Sequence, residues 1–217
     1  MLDCIEISAG EVPDASIIWL HGLGADGSDF VPVAEQLALP APVRYVFPHA
    51  PVMPVTCNGG YIMPAWYDIY TMDIAGNQDE AGIRASGARL AELIDREVAR
   101  GIAPERIVLA GFSQGGAIAL QTALRYPARL GGVLALSTYL PLAATLAVER
   151  SKANRNLPIF FAHGRYDGVI PMSAAKASSD LLASQGDAVE WREYAMEHSV
   201  NAQEVEDIRR FLIARLS

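Results

Sequence analysis

Arg106-Ile107-Val108-Leu109-Ala110-Gly111-Phe112-Ser113-Gln114-Gly115-Gly116-Ala117 is the stretch whose reading organises the rest of the chain. The apolar, β-branched run at 106–110 predicts a buried strand, and the pattern over 114–125 predicts a helix stopped by Pro127. Between them lies Gly-x-Ser-x-Gly, in strand–turn–helix context. Such a turn is strained and projects the serine hydroxyl from the sheet. Gly111 and Gly115 leave room where side chains would meet neighbouring backbone. The following helix points unpaired N–H groups and its positive end at any oxygen that reacts there. The competing reading is a Gly-rich turn gripping a phosphate, but a phosphate cradle needs no serine at its strained centre.

Outward from this stretch, short apolar runs predict strands at 16–20, 43–47, 132–137, 158–163 and 189–194. A helical pattern spans 84–100, with Leu90, Leu93, Ile94 and Glu97 at helical spacing and Gly101 at its end; another spans 173–184. Asn201-Ala202-Gln203-Glu204 predicts a capping box opening a last helix, with Ile208, Phe211, Leu212 and Leu216 on its buried face. Strands bridged by helices imply a mostly parallel sheet covered on both faces, with chemistry at the carboxyl ends of the strands. The 217 residues fit one α/β domain, 1–217, interrupted by a long Pro-, Gly- and aromatic-rich loop at 48–77.

Bulk properties exclude several classes. The net charge of -8, with no basic run, argues against nucleic acid. No apolar run is long enough to span a membrane, and the first residues do not resemble a secretory signal, so the chain reads as cytoplasmic. Cys4 and Cys57 have no metal-ligand spacing and are expected as free thiols.

A serine nucleophile needs a general base. The four histidines are His21, His49, His163 and His198. On this architecture the acid and then the base follow the serine in the chain, which leaves His163 and His198. The aspartates between Ser113 and His198 are Asp167, Asp180 and Asp187. Asp180 falls within a predicted helix and Asp187 in an apparent surface turn. Asp167 follows a strand end, so Ser113, Asp167 and His198 form the consistent triad, and His163 is expected to make a structural hydrogen bond beneath it. His21-Gly22-Leu23-Gly24 follows an early strand, and the backbone N–H groups of Leu23 and Gln114 are the expected oxyanion donors. In the long loop, Met63, Trp66, Ile69 and Met72 are expected to line an apolar acyl site; packing beneath the loop is the alternative.

These residues also carry a resemblance. Trp19-Leu20-His21-Gly22-Leu23-Gly24-Ala25-Asp26, Pro48-His49-Ala50-Pro51, Asn58-Gly59-Gly60, Ala65-Trp66-Tyr67-Asp68, Gly111–Ala117 as quoted above, His163-Gly164-Arg165-Tyr166-Asp167 and Tyr194-Ala195-Met196-Glu197-His198 resemble the small bacterial carboxylesterases of the phospholipase/carboxylesterase family, which includes acyl-protein thioesterases. The resemblance implies an α/β-hydrolase fold without a large cap domain, the same triad and oxyanion donors, and no cofactor or metal. It departs at Thr138 and Glu197, where relatives often carry glycine or a small residue. The expected activity is a carboxylesterase for short-to-medium acyl esters, with acyl-protein thioesterase or lysophospholipase as alternative, and a non-catalytic protein on the same scaffold as the remote one. The expected partner is a small ester or thioester or an acylated protein, with a homodimer left open.

Overall fold

The computed structural model describes residues 2–8, 10, 12–71 and 76–216. Its strands are β1 (Cys4–Ser8), β2 (Ala15–Leu20), β3 (Val43–Pro48), β4 (Val52–Val55), β5 (Tyr61–Pro64), β6 (Ile107–Phe112), β7 (Gly132–Leu136), β8 (Pro158–Gly164) and β9 (Ala188–Tyr194). Its α-helices are α1 (Val31–Leu37), α2 (Glu80–Ala99), α3 (Gln114–Ala123), α4 (Leu146–Glu149), α5 (Met172–Ser184) and α6 (Ala202–Leu216). Seven strands form one sheet in the order β1-β3-β2-β6-β7-β8-β9. All neighbours are parallel except β1, which runs antiparallel to β3. This is the α/β-hydrolase fold, and no large cap is inserted among the described residues.

The apolar runs explain the layering. Successive strand residues face opposite sides. Ile18, Leu20 and Leu109 therefore enter the core under α2, α3 and α5, while Ile17, Trp19 and Val108 enter the one under α1 and α6. With both faces covered, every residue of β2 and of β7 is buried, so these strands read as continuous apolar runs. The chain leaves β2 toward β3 on one side and later returns to β6 on the other. That reversal opens a crevice at the strand ends, where ligands bind in such sheets. Leu20 pairs with Gly111 and Phe112 with Leu136, so the ends of β2, β6 and β7 lie side by side.

Some elements depart from expectation. The edge strand β1 alternates half-buried with exposed residues and lacks a long apolar run. α1 has only 7 residues and no side-chain cap, too short for a clear period. α2 starts earlier than 84, because Asp79 caps it by accepting the Gly82 N–H at 3.0 Å. Glu97 of α2 does face inward, where Arg44 at 2.8 Å and Arg100 at 3.0 Å neutralise it. Asp187 is not in a solvated turn. It is 7% exposed, pairs with Arg150 and accepts the Leu157 N–H at 3.1 Å.

The capping box at α6 forms only in half. The Asn201 side chain accepts the Glu204 N–H at 2.9 Å, but the Glu204 carboxyl does not return the bond. It is fully buried without a partner for either oxygen, and burial pushes its pKa up to about 8. Unfolded, the group ionises near its ordinary 4.5. The fold therefore holds the extra proton between the two values. The stability this gives is complete below pH 4.5 and is lost as pH rises through about 8. The thermal midpoint of the parent is expected to fall between about pH 6 and pH 9, and Glu204→Gln to flatten that fall. Calorimetry across the range checks it; equal slopes in both proteins would refute the assignment.

Candidate active site

Ser113 lies between β6 and α3 with φ 55 and ψ -123, a conformation that non-glycine residues rarely adopt. The strand end of β7 holds it there. The Ser113 N–H donates to Leu136 O at 2.9 Å, and the Thr138 hydroxyl donates to Ser113 O at 2.7 Å. Close approach requires both flanking glycines. A Cβ on Gly111 would strike the Gly115 carbonyl, and one on Gly115 would sit 2.5 Å from the carbonyl oxygens of Leu20 and His21.

Asp167 sits beyond β8 in a turn that its own carboxylate closes. One oxygen accepts the N–H groups of Val169 and Ile170, each at 2.8 Å. The other accepts from His198 Nδ1 at 2.7 Å. The carboxylate is fully buried, whereas the imidazole is 17% exposed. With Nδ1 donating, Nε2 is the basic nitrogen of neutral His198. The His198 ring leans on Phe112, with centroids 4.7 Å apart. His163 lies beneath, fully buried, with Nε2 2.9 Å from Ile170 O; burial lowers its pKa. It braces the turn that carries Asp167. Glu197, beside His198, is exposed.

The loop after β2 is braced by side-chain contacts that the sequence reading did not foresee. His21 is 1% exposed and kept neutral by burial, which lowers its pKa. Its Nε2 accepts the Ala50 N–H at 3.1 Å, so Nδ1 donates to Gly22 O at 2.7 Å. The Trp66 indole N–H donates to His21 O at 2.9 Å, and the Gly24 N–H to Pro64 O at 2.9 Å. The Gln114 side chain completes the bracing. Its oxygen accepts the Trp66 N–H at 2.8 Å and its amide donates to Tyr67 O at 2.6 Å.

A cavity of about 330 Å³ adjoins these groups, and Ser113, His198, Leu23 and Gln114 all line it. Ile69 lines it too. Met63 and Trp66 are not among its lining residues. Met63 belongs to the β4–β5 hairpin opposite Met53, and Trp66 is buried at 1% with its indole N–H on the His21 carbonyl. Met72 lies outside the described residues. Tyr67, Tyr139, Val169 and Ile170 line the wall instead. The signal for the last two was their place directly after Asp167. Together, the site offers a strained serine, a carboxylate-braced imidazole, and N–H groups at a helix start, a set suited to acyl transfer.

The phospholipase/carboxylesterase family model matches residues 2–216. An acyl-protein thioesterase 1 from Neurospora crassa is 39% identical over 93% of this chain and 87% of its own. The crystal structure of Arabidopsis thaliana SOBER1 superposes with a TM-score of 0.89 at 31% identity, covering 94% of this chain and 99% of that one. Zea mays acyl-protein thioesterase 2 superposes at 0.87, with 28% identity and both chains fully covered. These relatives are fungal and plant, so they do not carry the bacterial part of the expected resemblance. The match over almost the whole chain, on the same fold, makes this protein a serine hydrolase belonging to the phospholipase/carboxylesterase family.

Proposed function

We propose that the protein is a carboxylesterase that hydrolyses short-to-medium acyl esters through Ser113, His198 and Asp167 and an acyl-enzyme intermediate. The observation that carries this reading is the 2.7 Å bond from His198 Nδ1 to the buried Asp167 carboxylate, beside a cavity shared with Ser113. His198 Nε2 takes the Ser113 proton as Oγ attacks the ester carbonyl. The resulting oxyanion accepts from the Leu23 and Gln114 N–H groups. The intermediate collapses, His198 protonates the departing alcohol, and the acyl group stays on Ser113. Water, deprotonated by His198, then releases the acid. Asp167 fixes the tautomer and stabilises the imidazolium. No step needs a cofactor or metal.

The cavity volume sits at the lower end of small-ligand sites, which run from roughly 300 to 1,000 Å³ and favour modest chains here. Thioester hydrolysis is the second reading, favoured by the relatives named acyl-protein thioesterase. It uses the same steps with a thiol as leaving group, and an acylated protein would then be the partner. The free thiols Cys4 and Cys57 fit a reducing, cytoplasmic setting.

Two aspartates separate chemistry from folding. Asp167→Asn is expected to lower kcat by orders of magnitude, about 10⁴ in the serine-protease example, with little change in thermal midpoint. Asp187→Asn is expected to keep kcat and lower the midpoint by roughly 5–10 °C, because it weakens a buried ion pair. Kinetics and calorimetry on both variants check this, and a reversed pattern would mean the acid is misassigned. A fluorophosphonate should label the parent at Ser113 and leave Ser113→Ala unlabelled.

Chain length tests the cavity. Across acetate to dodecanoate esters of one alcohol, each methylene should raise kcat/KM up to about fourfold, ~0.8 kcal/mol, until the cavity is full. Ile69→Asp should flatten that rise, and Met63→Ala should leave it in place. The opposite assignment of the two variants would move the acyl wall to the hairpin. Matched thioesters in the same panel decide the leaving-group preference.

A further inference from the structure

The cavity contains two phenols whose hydroxyls meet at 2.8 Å, those of Tyr67 and Tyr139. Both residues are more than nine-tenths buried, at 3% and 9% exposure. Two phenols carry two O–H groups, and the bond between them uses one. Whichever hydroxyl donates, the other keeps a proton to give. Burial raises both pKa values above the ordinary 10.0, so both protons stay in place at neutral pH.

The pair is held in register with the nucleophile from two sides. The Tyr67 carbonyl accepts the side-chain amide of Gln114, which follows Ser113, at 2.6 Å. Tyr139 follows Thr138, whose hydroxyl donates to the Ser113 carbonyl at 2.7 Å. The remaining phenol proton therefore keeps a set offset from the carbon that Ser113 attacks. An all-carbon chain lying on the pair would cover that donor without a partner, which is unfavourable. An oxygen at the matching position of the chain would accept it.

We infer that Tyr67 and Tyr139 form a specificity-determining pair that selects esters carrying a second oxygen, as hydroxyl, ketone or ether, at a set distance from the scissile carbonyl. This rests on the hydrolase reading and narrows its substrates from alkyl to oxygenated esters. The oxygen can belong to the acyl or to the alcohol part, and the experiment separates the two.

The full chain is assayed with two ester series of equal length. In one, an ether oxygen replaces successive methylenes of a hexanoyl chain; in the other, it moves along the alcohol. One position in one series should exceed the all-carbon ester by about five- to tenfold in kcat/KM, the usual size of one such hydrogen bond. In Tyr67→Phe/Tyr139→Phe that ratio should drop to about one. A parent ratio below about threefold at every position overturns the proposal, as does a ratio that survives in the double variant. If the double variant melts early, the two single Phe variants replace it, and the proposal fails when neither lowers the ratio. Turnover of plain esters with no oxygen preference sinks the specificity alone. No turnover in either series, with no fluorophosphonate labelling of Ser113, sinks the hydrolase reading and the specificity together.

Discussion

The backbone of Ser113 is the constraint on which the site depends. A φ of 55 with ψ -123 is costly for a residue with a side chain, of order 1–3 kcal/mol, and persists only where the surroundings over-determine it. Here they do. The end of β7 grips the residue at its N–H, Thr138 just beyond β7 grips its carbonyl, and the first turn of α3 also bonds that carbonyl, through the Ala117 N–H at 3.2 Å. The sharp turn lifts the hydroxyl clear of the sheet and starts α3 directly behind it. It also brings the β6–α3 backbone so near the end of β2 that only glycine fits at 115. The parallel register of β2, β6 and β7 supplies the frame, and the strained turn lifts Ser113 out of it.

Around this corner the polar groups are arranged to stay uncharged or to be fully matched. His21 and His163 are both pushed toward the neutral form by burial. Neutrality matters at His21, since Nε2 must accept the Ala50 N–H; a proton there would set two donors against each other. The buried Asp167 carboxylate is matched by two backbone N–H groups and the His198 ring. Further out, Arg84, Arg125 and Thr145 hold Glu149 and depress its pKa to about 2. That cluster ties α4 to α2 and to the residues just after α3.

What could be read from the sequence follows from which interactions are local. The inner parallel strands are legible because two-sided burial writes a largely apolar run, as in Ala15–Leu20, whereas the edge strand β9 carries charged residues and is mostly exposed or half-buried. Chain order on this architecture narrows four histidines and three aspartates to Ser113, Asp167 and His198, and the structure bonds His198 to Asp167 beside a cavity that Ser113 also lines. The roles of Met63 and Trp66 were not legible, since a loop with no period hides which side chains face inward. The 48–77 stretch contains a two-stranded hairpin in which Met63 pairs with Met53. Asp187 looked solvated because its partner, Arg150, is 37 residues away in sequence. Glu204 fitted the capping pattern, but tertiary burial took its carboxyl out of reach of the cap. Thr138 meets Ser113, and Tyr67 meets Tyr139, only across the fold.

The segment between β3 and α2 is fastened to itself as well as to the sheet. Asp68 accepts the Thr56 N–H at 2.7 Å and its hydroxyl at 2.5 Å, and the Asp68 N–H donates at 2.9 Å to Asp79, the residue that caps α2. The hairpin tip at Gly59 and Gly60 has open space around both glycines. Residues inserted at that tip would leave these staples and the Ser113 turn untouched. Evolution can therefore lengthen or reshape one wall of the site as an independent module while the scaffold beneath stays unchanged.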